Sequence, residues 1–153
     1  WAEGAYLHDA DGRTILDGMS GLWCVNLGYG RRDLAEAAQR LGLAVVAGTL
    51  PLRTADPARV SNTCLVYGAD GDCLARYDKI HLFAFDNGRE RYDEGRTLLA
   101  GGEPRAFDAE GLRVGLTICY DLRFPVWSRN HNDYDLALYV ANWPAPRWAT
   151  QRG

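Results

Sequence analysis

A chain of 153 residues is long enough for one domain with a real core and too short for two ordinary ones. With 47% hydrophobic, 24% charged and 11% aromatic residues it leaves no room for a long disordered tail, and its net charge of −3 gives no reason to expect a nucleic-acid partner. No apolar run approaches the ~18 residues of a membrane span, and the N-terminus WAEGAYLHD has neither the basic nor the apolar region of a signal peptide.

In chain order, Ala5–His8 and Thr14–Leu16 flank an Asp-Gly turn and predict a first hairpin. A Gly-rich loop from Ser20 to Gly30 follows. Arg32–Leu41 then reads as a helix, with Asp33 near its start and Gly42 just past its end. Leu43–Leu50 (LAVVAGTL) is a short continuous apolar run, as expected of a strand buried on both faces. Thr63–Tyr67 and Cys73–Tyr77 flank the turn chemistry of Gly68–Asp72 and predict a second hairpin, with KIHLFAF continuing extended. Asp86–Gly102 is polar with scattered glycines and reads as loop. A third hairpin around Asp108–Gly111 feeds Arg113–Cys119, where Val114, Leu116 and Ile118 alternate with Gly115, Thr117 and Cys119. A short helical stretch after Pro125 leads to the apolar strand DLALYVAN. Apolar strands, antiparallel hairpins and intervening helices predict a layered α/β (α+β) domain.

The chemistry-bearing residues are few. Cys119 ends a strand ahead of the polar turn Tyr120-Asp121-Leu122-Arg123. There a thiol is exposed at a sheet edge and the next backbone N–H can face a developing oxyanion. A buried structural thiol is the alternative reading of the same position. Lys79, the only lysine, sits among Tyr77, Ile80, Leu82 and Phe83. An ammonium there needs a counter-charge, and beside a cysteine it would favour the thiolate. A strand-end surface lysine is the other possibility. His81 could be the base of a Cys/His pair or a structural histidine. Glu94 and Glu90, on the following loop, could orient the lysine or act as general base, or stand solvated. Trp143 either lines a pocket or belongs to the core. Cys24, Cys64, Cys73 and Cys119 lack the spacing of a zinc site, so no metal is expected, and reduced thiols point to the cytoplasm.

Two strings narrow the choice. YDKIHLF (Tyr77–Phe83) and ICYDLRFP (Ile118–Pro125) resemble the lysine and cysteine motifs of the nitrilase superfamily of carbon–nitrogen hydrolases. The continuation WSRNHNDYDLALYVANWPAPR and the upstream LAVVAGTLP segment are similar to its omega-amidase-like branch, over about Leu41–Arg147. The resemblance implies an α-β-β-α sandwich, here partial and preceded by a hairpin segment, that needs no cofactor and associates through the face near the cysteine. It implies that Cys119 attacks a small linear carboxylic acid amide such as 2-oxoglutaramate and forms a thioester. Lys79 and the backbone N–H of Tyr120 would stabilise the oxyanion, Glu94 would be the accessory glutamate with Glu90 as fallback, and Trp143 would bind substrate. The superfamily's general-base glutamate lies upstream in a Pro-Glu context. Only Glu3 and Glu36 precede Leu43 here, and neither has that setting, so slow or absent turnover is expected of this chain.

Residues 1–38, through GLWCVNLGYG, resemble instead the N-terminus of a class III pyridoxal-phosphate-dependent omega-aminotransferase, with Trp23 near the substrate pocket. The expected organisation is therefore a chimera: an aminotransferase-like segment over 1–38 and a truncated omega-amidase-like domain over 39–153. Two alternatives stand beside the amidase: an aminotransferase fragment, and a non-catalytic fragment that pairs with another chain. Exposed sheet edges would make the chain a homo-oligomer or prone to aggregate.

Overall fold

A computed structural model describes residues 2–3, 6–8, 11–16, 33–129 and 131–141. The Gly-rich loop, Trp23 and Trp143 lie outside the described residues. Strands β1 (Ala2–Glu3), β2 (Tyr6–His8) and β3 (Thr14–Leu16) form a small antiparallel sheet, with Gly12 at φ 79° in the predicted Asp-Gly turn. Helix α1 (Asp33–Leu41) carries Asp33 and Glu36 in its first turn and Arg40 in its last, complementing its dipole. It stops at Gly42, whose φ of 61° lets Leu43 N–H reach back to the Ala38 carbonyl. Leu34 and Ala38 are its buried residues.

Two three-stranded sheets carry the core. One has the order β4 (Val45–Arg53), β5 (Val60–Tyr67), β6 (Cys73–Asp78), all antiparallel. In the other, β10 (Leu112–Ile118) pairs antiparallel with β9 (Arg105–Ala109) and parallel with β11 (Leu136–Val140). The predicted alternation holds: Val114, Leu116 and Ile118 are buried and meet Cys64, Val66, Tyr77 and Phe107 in one cluster. Burial pushes the Cys64 thiol up to about 12, so it stays neutral at any ordinary pH. Among the described residues, the strand buried on both faces is β5, the central one. The apolar run in β4 lies at the sheet edge, with Ala47 buried and Val46 exposed. Position in the sheet, which local apolarity does not encode, decides which strand is covered.

Two further expectations need correction. KIHLFAF does not continue as one extended segment: the chain leaves the ladder after Asp78, bends at Ile80 and His81, and re-enters a strand only at β7 (Ala84–Asp86). Asp86–Gly102 is not plain loop. It holds β8 (Arg91–Asp93), paired with β7, and a 3-10 turn over Glu94–Arg96 capped by the Asp93 side chain. The two have different causes. In the first, the Asp121 and Glu94 carboxylates capture the His81 and Phe83 N–H groups; in the second, Arg91–Asp93 folds back to pair with β7.

Gly101 shows how tightly this region is drawn in. Its N–H donates to the Lys79 carbonyl at 2.8 Å, and a Cβ built on it would overlap the Asp78 carbonyl. Gly101→Ala should therefore cost about 1–3 kcal/mol by overpacking, read as a lower urea midpoint at unchanged slope. An unchanged midpoint would mean that the two backbones do not approach this closely.

Candidate active site

Lys79 follows β6 and is stitched on both sides. Its N–H donates to the Asn62 carbonyl of β5 at 2.8 Å, and its carbonyl accepts from Gly101 at 2.8 Å. The residue is 1% exposed, and the counter-charge its side chain requires is Glu94, with Nζ 2.6 Å from Oε2. Glu94, itself 6% exposed, is held by Phe83. The Phe83 N–H donates to Oε2 at 2.7 Å, and the Glu94 N–H donates to the Phe83 carbonyl at 2.9 Å. A buried ammonium and a buried carboxylate are thus fixed by backbone as well as by each other. Glu90, the fallback, is exposed, and its N–H bonds the side chain of Asn87.

Cys119 begins a 3-10 turn, Cys119–Arg123, directly after β10. Its φ of 48° puts a non-glycine residue in the left-handed region, which costs on the order of 1–3 kcal/mol and persists only where surroundings over-determine it. The sulfur lies within electrostatic reach of Lys79, Glu94 and Asp121 and accepts from the Tyr120 N–H. Burial pushes its thiol up. The Lys79 ammonium pulls the other way, the Glu94 and Asp121 carboxylates add to the rise, and the Tyr120 N–H opposes it. The balance is upward. A lysine beside the cysteine was expected to favour the thiolate, and its pull does act in that direction. Desolvation and two carboxylates outweigh it, so the resting form is the neutral thiol.

Asp121 was singled out in the sequence only as a flanking charge, yet it is 3% exposed and accepts four hydrogen bonds. Oδ2 takes the Tyr77 hydroxyl at 2.7 Å and the Ile118 N–H at 2.9 Å. Oδ1 takes the His81 N–H at 2.9 Å and stands 2.8 Å from its Nδ1. The His81 ring stacks on Phe124 with centroids 3.8 Å apart. Phe83, Tyr120 and Phe124 form a chain of edge-on aromatic contacts beside the cysteine. Of the residues picked from the sequence, the fold brings Cys119, Lys79, Glu94 and the Tyr120 N–H to one place. Trp143 lies outside the described residues. No group of three or more His, Cys, Asp or Glu side chains among the described residues could hold a metal ion. The arrangement can deliver a thiol to a carbonyl carbon and offer an ammonium and a backbone N–H to the oxygen.

A family model for carbon-nitrogen hydrolases matches residues 8–151. Omega-amidase YafV of Yersinia enterocolitica is 48% identical over 110 residues, which is 70% of this chain and 40% of that protein. Omega-amidase NIT2 of Homo sapiens is 41% identical over 98 residues, 63% of this chain and 35% of that protein. Among solved structures, XC1258 of Xanthomonas campestris, a CN-hydrolase superfamily protein with an arsenic adduct in its active site, superposes with a TM-score of 0.63 at 38% identity. That match covers 78% of this chain and 44% of its own. The C. elegans NitFhit protein gives a TM-score of 0.72 at 29% identity, over 81% of this chain and 31% of its own. The chain thus spans about 40% of the length of the curated relatives it matches.

Proposed function

Because the chain belongs to the carbon–nitrogen hydrolase family, we propose that it carries the thiol site of an omega-amidase, acting on small linear carboxylic acid amides such as 2-oxoglutaramate. The observation that carries this reading is a buried Lys79–Glu94 pair beside a cysteine in a strained turn. In the proposed reaction the Cys119 sulfur bonds to the amide carbonyl carbon, and Lys79 with the Tyr120 N–H balances charge on the oxygen. Collapse of the tetrahedral species breaks the carbon–nitrogen bond and expels ammonia, which carries away the thiol proton. Water then hydrolyses the thioester, giving the free acid and restoring the thiol.

Glu94 neutralises Lys79 through Oε2, which also accepts from the Phe83 N–H, and Asp121 accepts from four donors, so taking the thiol proton on either carboxylate gives up a charge that those bonds use. A polypeptide of these residues alone should therefore turn over slowly. The test is ammonia release from 2-oxoglutaramate by the chain and by Cys119→Ala. Slow release that the variant loses supports the reading, and equal release from both overturns it.

The same reading includes self-association. Val126 (77% exposed), Trp127 (50%), Leu136 (45%) and Tyr139 (39%) leave apolar surface bare after the cysteine turn and on β11. Oligomers or aggregates are expected in sedimentation, and a clean monomer would count against it. The aminotransferase-like origin of residues 1–38 rests on the string GLWCVNLGYG, and the family match crosses that segment from residue 8 onward. Schiff-base chemistry would need a lysine, and the only one is held by Glu94.

A further inference from the structure

We propose that Asp121 and His81 form a positioning pair that sets the backbone of the cysteine turn, with His81 acting through its Nδ1–H and its main chain instead of carrying protons to sulfur. The proposal rests on the reading of Cys119 as nucleophile and adds residues that act through it. A carboxylate only accepts hydrogen bonds, so each of the four groups around Asp121 must donate, and His81 Nδ1 must carry a hydrogen.

The four donors belong to three separate places: Tyr77 in β6, His81 just beyond Lys79, and Ile118 at the end of β10. Asp121 itself sits in the turn that begins with Cys119. One buried side chain therefore ties the cysteine-bearing turn to the lysine-bearing segment. It also brackets the strained residue. Ile118 N–H, one residue before Cys119, bonds the Asp121 side chain, while Phe124 N–H bonds the Asp121 carbonyl at 2.9 Å. With both flanks held, Cys119 keeps its left-handed φ and the Tyr120 N–H stays on the sulfur.

The imidazole is locked in turn. It lies parallel to Phe124 at an interplanar angle of 6°, with Trp127 edge-on at 5.8 Å. A ring held this way, with Nδ1 committed to a carboxylate, is built to stay in place.

The test uses the rate at which iodoacetamide alkylates Cys119, followed by mass mapping of the Cys119 peptide against those of the other cysteines. This readout does not need amide hydrolysis. His81→Asn keeps an N–H donor near the Nδ1 position, whereas His81→Leu keeps apolar volume and loses the donor. A positioning role predicts that Asn retains most of the wild-type rate while Leu loses about tenfold or more, the scale of a hydrogen bond to a charged group. A proton-carrying role predicts that both fall alike, and a purely packing role predicts that Asn falls further than Leu; either result overturns the proposal. If His81→Leu does not fold, Tyr77→Phe replaces it, since it removes one donor to Oδ2 and no ring. Slower alkylation at an unchanged melting temperature then supports the proposal, and an unchanged rate overturns it. If Cys119→Ala leaves ammonia release from 2-oxoglutaramate unchanged, the nucleophile reading itself fails and the pair loses its role with it.

Discussion

Glu94→Ala is expected to destabilise the fold by about 3–5 kcal/mol, because it strands an ammonium in the interior. Lys79 is 1% exposed and its Nζ is 2.6 Å from Glu94 Oε2, so water cannot take the carboxylate's place without opening the structure. The same change also frees the Phe83 N–H, which adds an unsatisfied buried donor costing on the order of 1–3 kcal/mol. Lys79→Met should cost less than Glu94→Ala, since the carboxylate left behind keeps its bond from Phe83. Lys79→Met combined with Glu94→Leu should cost clearly less than the sum of the two single changes, because an apolar pair leaves no buried charge. Urea unfolding of the four proteins measures the cycle. Single changes that each cost under about 1 kcal/mol and simply add would mean that the pair is solvated.

Reactivity should move the opposite way in Glu94→Ala. The carboxylate adds to the rise of the Cys119 thiol and Lys79 opposes it. Deleting the carboxylate leaves the ammonium uncompensated and lowers the thiol, so alkylation near neutral pH should quicken while the fold weakens. Glu94 thus trades thiolate for a lysine held in place.

Because the carboxylates described beside Cys119 already serve Lys79 and the Asp121 donors, ammonia release from 2-oxoglutaramate by a polypeptide of residues 1–153 is expected to run about 10²–10⁴-fold below that of the Yersinia omega-amidase measured beside it, the range that a positioned general base contributes. What release there is should climb as pH rises through and beyond the ordinary thiol range. The sign follows from the site: burial holds the Cys119 thiol above its usual value, the thiolate is the attacking form, and its fraction grows with pH. Release already level at neutral pH would mean that the thiol is held down and that the balance of burial against Lys79 is reversed. Turnover equal to the relative's and lost in Cys119→Ala would show that another group supplies the base.

Much of the architecture was legible because the signals are local. Asp11-Gly12, Asp70-Gly71 and Glu110-Gly111 each close a hairpin, and all three glycines take positive φ there. Gly42 ends α1 through its own backbone freedom. The period-two alternation from Val114 to Ile118 gives the buried face of β10. The motifs around Lys79 and Cys119 carried the family, and the family comparison agrees.

What the sequence by itself determined, then, is where three hairpin turns fall, which side of β10 meets the core, and which lysine and cysteine to watch. Only the tertiary structure decided that β5 and not β4 is covered on both faces, that Glu94 leaves its polar loop to neutralise Lys79, and that Asp121 gathers Tyr77 and His81. It also decided the direction of the Cys119 thiol. The division has a physical cause. Backbone preference and side-chain period act over a few residues, whereas a buried charge takes its meaning from partners 15 to 44 residues away that only the folded chain brings within hydrogen-bonding reach.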